Sequence, residues 1–245
     1  MANLDLNKLP VARADMVVNP CAACSVRDLS ICSVLDEDEL QQMSEIAANL
    51  QFSPHDPIID EGEAADFLFN VTGGTVRLYK LLPDGRRQIT GFLTNGDFLG
   101  IALNDNYTYS AEAVDQVNVC RFPRKKLESL LDQYPHLEKR LLGVASNELV
   151  QAQDQMMLLG RKTAKEKIVS FLLSLSKRQT AIGRAASPVA LPMSRSDIAD
   201  YLGLTTETVS RTFSLLKRDQ SIRIQEGGMV ALPDIDHLTE LADGY

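Results

Sequence analysis

Between residues 60 and 97 the apolar runs are short, and turn pairs cut them at steps of 11 or 12 residues: Glu61-Gly62, Gly73-Gly74, Asp84-Gly85 and Asn95-Gly96. The runs between the turns, such as Phe67 to Val71 and Val76 to Tyr79, are rich in β-branched and aromatic residues. That pattern predicts successive antiparallel strands joined by hairpins. Residues 45–123 are expected to form a β-roll that ends at Pro123. From Arg124 the periodicity becomes helical, and a long helix is expected over 124–160. Leu141, Ala145, Leu149, Ala152, Met156 and Leu159 recur every three or four residues. They form one narrow apolar stripe, as in the seam of a coiled coil. Such a stripe could pack on the chain's own roll. With alanine and methionine in a thin seam on an otherwise polar helix, a second copy of the chain is the favoured partner. After Gly160 a second amphipathic helix is expected from Lys165 to Arg178. A small-residue stretch through Gly183, Ala185, Ala186 and Pro188 to Pro192 then reads as linker and domain packing.

The next pattern is more specific. Ser194 is a good N-cap, and Asp197 at the third helical position can complete a capping box. Ile198 and Leu202 share one helix face, Gly203 can end that helix in a left-handed conformation, and Thr205 or Thr206 can cap the next. On this second helix Val209, Phe213 and Leu216 form the buried side. Glu207, Ser210, Arg211 and Ser214 form the opposite side, with Thr206 at the tip and Lys217 and Arg218 at the far end. An arginine can bond the two acceptors of a guanine, a carboxylate can accept from a cytosine amino group, and a hydroxyl can serve in either sense. As an isolated i, i+4 pair, Glu207 and Arg211 would read as surface decoration. The succession cap, helix, glycine, cap, helix turns the argument toward a DNA major groove. So does the hairpin that follows, Ile222 to Gln225, Gly227-Gly228, then Met229 to Leu232, which reads as a wing.

Charge supports that reading once it is divided along the chain. The whole carries −8, yet 161–232 holds 12 Lys and Arg against 6 Asp and Glu, a local +6 that leaves −14 for the rest. A locally basic segment is what non-specific DNA affinity needs. With 44% apolar residues the chain can build packed cores. The opening stretch, Met1 to Val18, has no continuous apolar core of a signal peptide, and no run is long enough to span a bilayer. A soluble cytoplasmic protein with no membrane partner is expected. No nucleophile–base set, P-loop or HExxH motif is present, so the chain is not expected to be an enzyme. His55, His136 and His237 are scattered, without ligand spacing.

Four cysteines remain: Cys21, Cys24 and Cys32 in a short N-terminal segment, and Cys120 on the last predicted strand. A CxxC alone could be redox-active, bind zinc or be coincidental. Strand alternation turns Val117 and Val119 to one face and Cys120 to the other, where an N-terminal loop could meet it. Four thiolates are a standard ligand set for an iron–sulfur cluster.

The stretch Ile198-Ala-Asp-Tyr-Leu-Gly-Leu-Thr-Thr-Glu-Thr-Val-Ser-Arg211 resembles the DNA-binding signature of the CRP/FNR superfamily of bacterial regulators, and the likeness extends over nearly the whole chain. The resemblance implies an α+β fold: a cysteine-bearing segment with a short helix at 1–44, a cyclic-nucleotide-binding-like jelly roll at 45–123, a dimerisation helix at 124–160 and a winged helix-turn-helix at 161–245. It implies a homodimer that reads an inverted repeat in double-stranded DNA through Glu207, Ser210 and Arg211, and that engages RNA polymerase, mostly as an activator. Gln220 departs from the glycine that relatives often carry there. Cyclic-nucleotide sensing is not expected, because Gly96 to Gly100 leads into Asn104 to Ala113, which holds no arginine or lysine to bind a phosphate. The cysteines are similar to those of the FNR subgroup, which implies a [4Fe-4S] cluster on Cys21, Cys24, Cys32 and Cys120 and a response to oxygen. Some relatives carry an acidic residue at the place of Ala152, where its repulsion keeps the cluster-free protein monomeric; here that repulsion is missing. The alternatives are the same fold with zinc or no metal, acting constitutively or under thiol control, and a redox protein using the CxxC.

Overall fold

The computed structural model describes residues 21, 23–101 and 105–244. Met1 to Val18 and Asn104, which bear on the expectations above, lie outside the described residues.

The evenly spaced turns do what their residues allow. Gly62, Gly74, Gly85 and Gly96 each have φ between 84° and 92°. They reverse the chain between eight strands, β1 (Ala48–Phe52), β2 (Pro57–Ile59), β3 (Phe67–Gly73), β4 (Val76–Leu81), β5 (Arg87–Leu93), β6 (Phe98–Leu99), β7 (Ser110–Ala113) and β8 (Val117–Pro123). The strands form two four-stranded antiparallel sheets, ordered β1-β8-β3-β6 and β2-β7-β4-β5. Phe69, Val71, Val76, Leu93, Leu99, Val117 and Val119 fill the space between them.

The N-terminal segment lies on the outer face of the first sheet. Single 3-10 turns at Arg27–Leu29 and Ile31–Val34 lead into α1 (Glu37–Ile46), which Asp36 and Glu39 start with a reciprocal capping box. Ile31, Leu35, Leu40 and Met43 pack with Leu68, Phe98 and Phe122 of the sheet. Leu127 and Leu130 of α2 (Arg124–Gln133) and Leu137 of α3 (Pro135–Arg161) complete that core.

The single helix expected over 124–160 is therefore two. Proline disfavours a helical residue before it, and Tyr134, at φ −122° and ψ 86°, breaks the run before Pro135. The residues of the expected apolar stripe differ in exposure along α3. Leu141 is half-buried against its own chain's N-terminal core. Leu142, Leu149 and Met156, seven residues apart, are 70%, 60% and 64% exposed. Ala152 is exposed, and Ala145 and Leu159 are half-buried. The seven-residue repeat now starts at Leu142.

The C-terminal unit contains α4 (Ala164–Ala181), β9 (Val189–Ala190), α5 (Arg195–Leu202), α6 (Thr206–Arg218), β10 (Arg223–Ile224), β11 (Met229–Ala231) and α7 (Ile235–Asp243). The α4 helix runs beyond the expected limits of 165–178 at both ends. The stretch read as linker supplies β9, which pairs with β11, so the wing is a three-stranded sheet ordered β10-β11-β9. The α7 helix packs on α4. Ile89 and Phe92 of β5 belong to the same apolar core as Ile168, Leu172, Ile198, Leu202, Val209 and Phe213. The roll and the C-terminal unit thus share an interior.

Candidate nucleic-acid interface and cysteine centre

Two helices with well-made ends build the first site. The Ser194 hydroxyl accepts from Asp197 N at 3.1 Å, and the Asp197 carboxylate accepts from Ser194 N at 3.0 Å. This is the capping box expected from sequence, and it starts α5. Gly203 ends that helix at φ 62° and ψ 43°. A side chain there would be strained, and its Cβ would come within 3.3 Å of Leu159. Thr205 is the cap of α6, its Oγ1 accepting from Thr208 N at 3.1 Å. Val209, Phe213 and Leu216 are buried, as is Thr212, and the Arg195 guanidinium lies over the Phe213 ring. The inner face of α6 is thereby fixed against α5.

The outer face carries Thr206, Glu207, Ser210, Arg211, Ser214, Lys217 and Arg218, all exposed. Arg211 Nη2 lies 2.6 Å from Glu207 Oε1, and the two side chains are 79% and 71% exposed. Each thus pre-positions the other at the surface. Ser214 donates its hydroxyl to Ser210 O at 2.9 Å. It therefore faces outward chiefly as an acceptor. Gln220, just past the helix, has φ 59°, a left-handed conformation in which glycine meets less strain.

A set of ion pairs ties this unit to the roll. Arg77 of β4 and Arg87 of β5 both reach Asp197 Oδ1, at 3.0 and 2.7 Å, and Arg87 Nε donates to Asp200 Oδ2 at 2.9 Å. Arg77 is also paired with Glu112. Gln88 Nε2 donates to Asp200 O at 2.6 Å. Arg178 of α4 pairs with Asp97 and donates to Phe92 O at 2.8 Å. Burial works against the Asp197 carboxylate, but hydrogen bonds from Ser194 and the charges of Arg77 and Arg87 outweigh it and hold the pKa below its ordinary value. Sequence reasoning saw Asp197 only as a cap. Partners 110 and 120 residues away leave no local pattern.

The second site forms where the N-terminal loop crosses β8. Cys21 and Cys32 are buried, and Cys24 and Cys120 are half-buried. Cys120 sits on the outer face of the first sheet, opposite Asn49 on β1 and Asn70 on β3. Burial raises the thiol pKa of Cys120, and the charges of Cys21, Cys32 and Cys24 raise it further. Cys21, Cys32 and Cys120 pack in one apolar core, and Cys24 follows Cys21 in the same loop. Burial likewise pushes Cys32 up to about 11. The same cause raises Cys21. Among the described residues no three Cys, His, Asp or Glu side chains converge closely enough to ligate one metal ion.

The loop is seated from two sides. Gly96, at φ 92°, lies where a Cβ would approach Leu29 Cβ to 2.6 Å. Only glycine lets the loop come so near. From α3, Arg140 Nη2 donates to Leu29 O and Ser30 O at 3.3 and 3.4 Å. The histidines stay apart from this centre: His55 meets Glu112, and His136 meets Glu39.

Comparisons with known proteins agree with this architecture. Residues 49–134 match the cyclic nucleotide-binding domain family, and 166–241 match the Crp-like helix-turn-helix domain family. The nitrogen fixation regulation protein FixK of Bradyrhizobium diazoefficiens is 45% identical over 86% of this chain and 90% of its own. The transcriptional activator protein FnrL of Cereibacter sphaeroides is 36% identical over 92% of this chain and 93% of its own. The structure of FixK2 from Bradyrhizobium japonicum superposes with a TM-score of 0.75 at 37% identity, covering 80% of this chain and 97% of that one. No helix among the described residues is long and apolar enough to cross a membrane. Roll, long helix and winged helix-turn-helix follow in the order of these relatives over nearly their full length, and the chain belongs to the CRP/FNR family of DNA-binding transcription regulators.

Proposed function

We propose that the protein is a homodimeric activator that reads an inverted-repeat DNA site with α6 and responds to oxygen through an iron–sulfur centre on Cys21, Cys24, Cys32 and Cys120. The observation that carries the sensing half is the packing of Cys21 and Cys32 from the N-terminal loop in one apolar core with Cys120 of β8, with Cys24 in the same loop. The donor set fits. Zinc also takes four thiolates, each about 2.3 Å from a single centre. A four-iron cluster is a larger body, with thiolate ligands spread around it. When bound, it would supply oxygen-labile iron–sulfide chemistry. The protein's own part is to hold the loop on Gly96 and Arg140. Arg140 belongs to α3, so the seating of the loop bears on the helix that carries the exposed apolar stripe.

That stripe, Leu142, Ala145, Leu149, Ala152, Met156 and Leu159, is the proposed contact with a second copy. In a symmetric dimer the two α6 helices would enter successive major grooves about one turn, roughly 34 Å, apart. On α6, Arg211 and Glu207 would read one G·C pair, Ser210 and Ser214 would add hydroxyl contacts, and Thr206, Lys217 and Arg218 would approach the backbone. RNA polymerase is the partner that an activator of this build would engage. A cyclic nucleotide is not the proposed effector, because residues 104–113 lack a cation for its phosphate.

Iron and acid-labile sulfide analysis of anaerobically purified protein, with operator binding measured before and after air, tests the reading. Coloured protein whose specific binding falls in air supports it. Colourless, iron-free protein that binds equally in both conditions would replace it with a constitutive regulator of the same fold.

A further inference from the structure

Asn70 is 3% exposed, and among the described residues its side-chain oxygen has no hydrogen-bond partner. Its surroundings make this notable. Along β3 the side chains alternate: Phe69 and Val71 enter the interior of the roll, while Leu68 belongs to the outer core beneath the N-terminal loop. Asn70 shares the outer face with Leu68. It stands directly opposite Cys120 on one neighbouring strand and Phe98 on the other. Paired residues on adjacent antiparallel strands point to the same side, with Cβ atoms about 4.5–5.5 Å apart. Phe98 packs in the core that holds Cys21 and Cys32. The amide is therefore placed at the floor of the cysteine nest.

An unsatisfied amide oxygen in such a place costs stability, and a leucine of similar size would fill the volume without that cost. We infer that Asn70 is a hydrogen-bonding partner of the cysteine centre, donating its amide N–H to sulfur at the Cys120 corner and slowing the centre's breakdown by oxygen. The inference rests on the iron–sulfur reading given above. A half-turn of the last torsion exchanges the two ends of the amide. The same side chain can thus turn its oxygen toward a protonated thiol or its N–H toward a thiolate. Hydrogen bonds to sulfur stabilise negative charge there, and partners in this position tune a centre's redox behaviour and persistence.

The test compares full-length wild-type protein with Asn70→Leu and Asn70→Ser, all purified anaerobically. Iron and sulfide are measured first. Each protein is then mixed with air-saturated buffer while the visible absorbance of the cluster is followed, and the cluster-free forms are melted. The expected result is an absorbance loss about tenfold faster in Asn70→Leu and slower than that in Asn70→Ser, which keeps a donor. Cluster-free Asn70→Leu should melt no lower than wild type, because it removes a buried unsatisfied group. Loaded wild type and Asn70→Leu decaying at the same rate would overturn the inference alone. So would a cluster-free Asn70→Leu that melts well below wild type, since the role would then be structural. Wild type without iron or sulfide would overturn the iron–sulfur reading and this inference with it.

Discussion

Arg87 of β5 and Asp197 of α5 meet across the junction of the roll and the C-terminal unit, with Nη2 2.7 Å from Oδ1 and the aspartate side chain only 5% exposed. Asp197 at once caps α5, neutralises Arg77 and anchors Arg87. Replacing it by alanine strips all three partners and leaves Arg77, itself 7% exposed, with less compensation. Removing one member of a buried pair costs about 3 to 5 kcal/mol. Asp197→Ala should show a loss of that order in urea unfolding. Arg87→Met should lose less, since Arg87 is 24% exposed and Arg77 still faces the carboxylate.

The same carboxylate makes stability depend on pH. Its folded pKa lies below the ordinary 3.8, so the unfolded chain binds its proton first as pH falls. The stabilisation is complete above the unfolded value and is lost as pH drops through the folded one. Unfolding midpoints of wild type and Asp197→Asn should differ most near neutrality and converge as pH falls below 3.8. A gap that stays constant over that range would assign the effect to packing.

Arg211→Ala should weaken binding to the specific site by about 1 to 3 kcal/mol and relax preference at one base pair. Its pairing with Glu207 in the free protein means that Glu207→Ala should also loosen Arg211, at smaller cost. Titrations at fixed salt on specific and random duplexes check this. Equal losses on both would count against base reading.

Gly96→Ala places a methyl group where Leu29 lies, on a backbone at φ 92°. The loop between Cys24 and Cys32 should lift. The variant should fold with its roll intact, as judged by circular dichroism, yet hold less iron per chain after anaerobic purification.

Leu149→Asp, at a position 60% exposed in the single chain, should leave the fold unchanged and give monomers in sedimentation velocity. Ala152 lacks an acidic group, so the cluster-free wild type should retain dimers that Ala152→Asp abolishes. A cluster-free wild type sedimenting only as monomer would remove that expectation.

Much of this fold was legible because it is written in local signals. Turn glycines at regular steps marked the hairpins, and Ser194, Gly203 and Thr205 marked the ends of α5 and α6. The buried face of α6 followed from Val209, Phe213 and Leu216 at helical spacing. The break at Tyr134 was signalled by Pro135 but is masked by a periodicity that continues across it, and periodicity could not show that Leu141 would turn inward. Nor could it show β9, two residues whose strand character comes only from pairing with β11. The seat of the loop on Gly96, the grip of Arg140 and the placement of Asn70 beside Cys120 depend on segments brought together over long separations. Only the possible meeting of Cys120 with the N-terminal loop was foreseeable, from strand alternation alone.

The shared core of β5 with the helices that follow has a consequence for modularity. Ile89 and Phe92 are as much a part of the DNA-reading unit's interior as Leu202 or Phe213. A fragment cut out at the domain boundary would lose a wall of its own interior. A hybrid joining this C-terminal half to another sensor would have to carry β5 with it, together with Arg87, or rebuild the seam. A substitution at Ile89 or Phe92 would thus disturb the roll and the helix-turn-helix together.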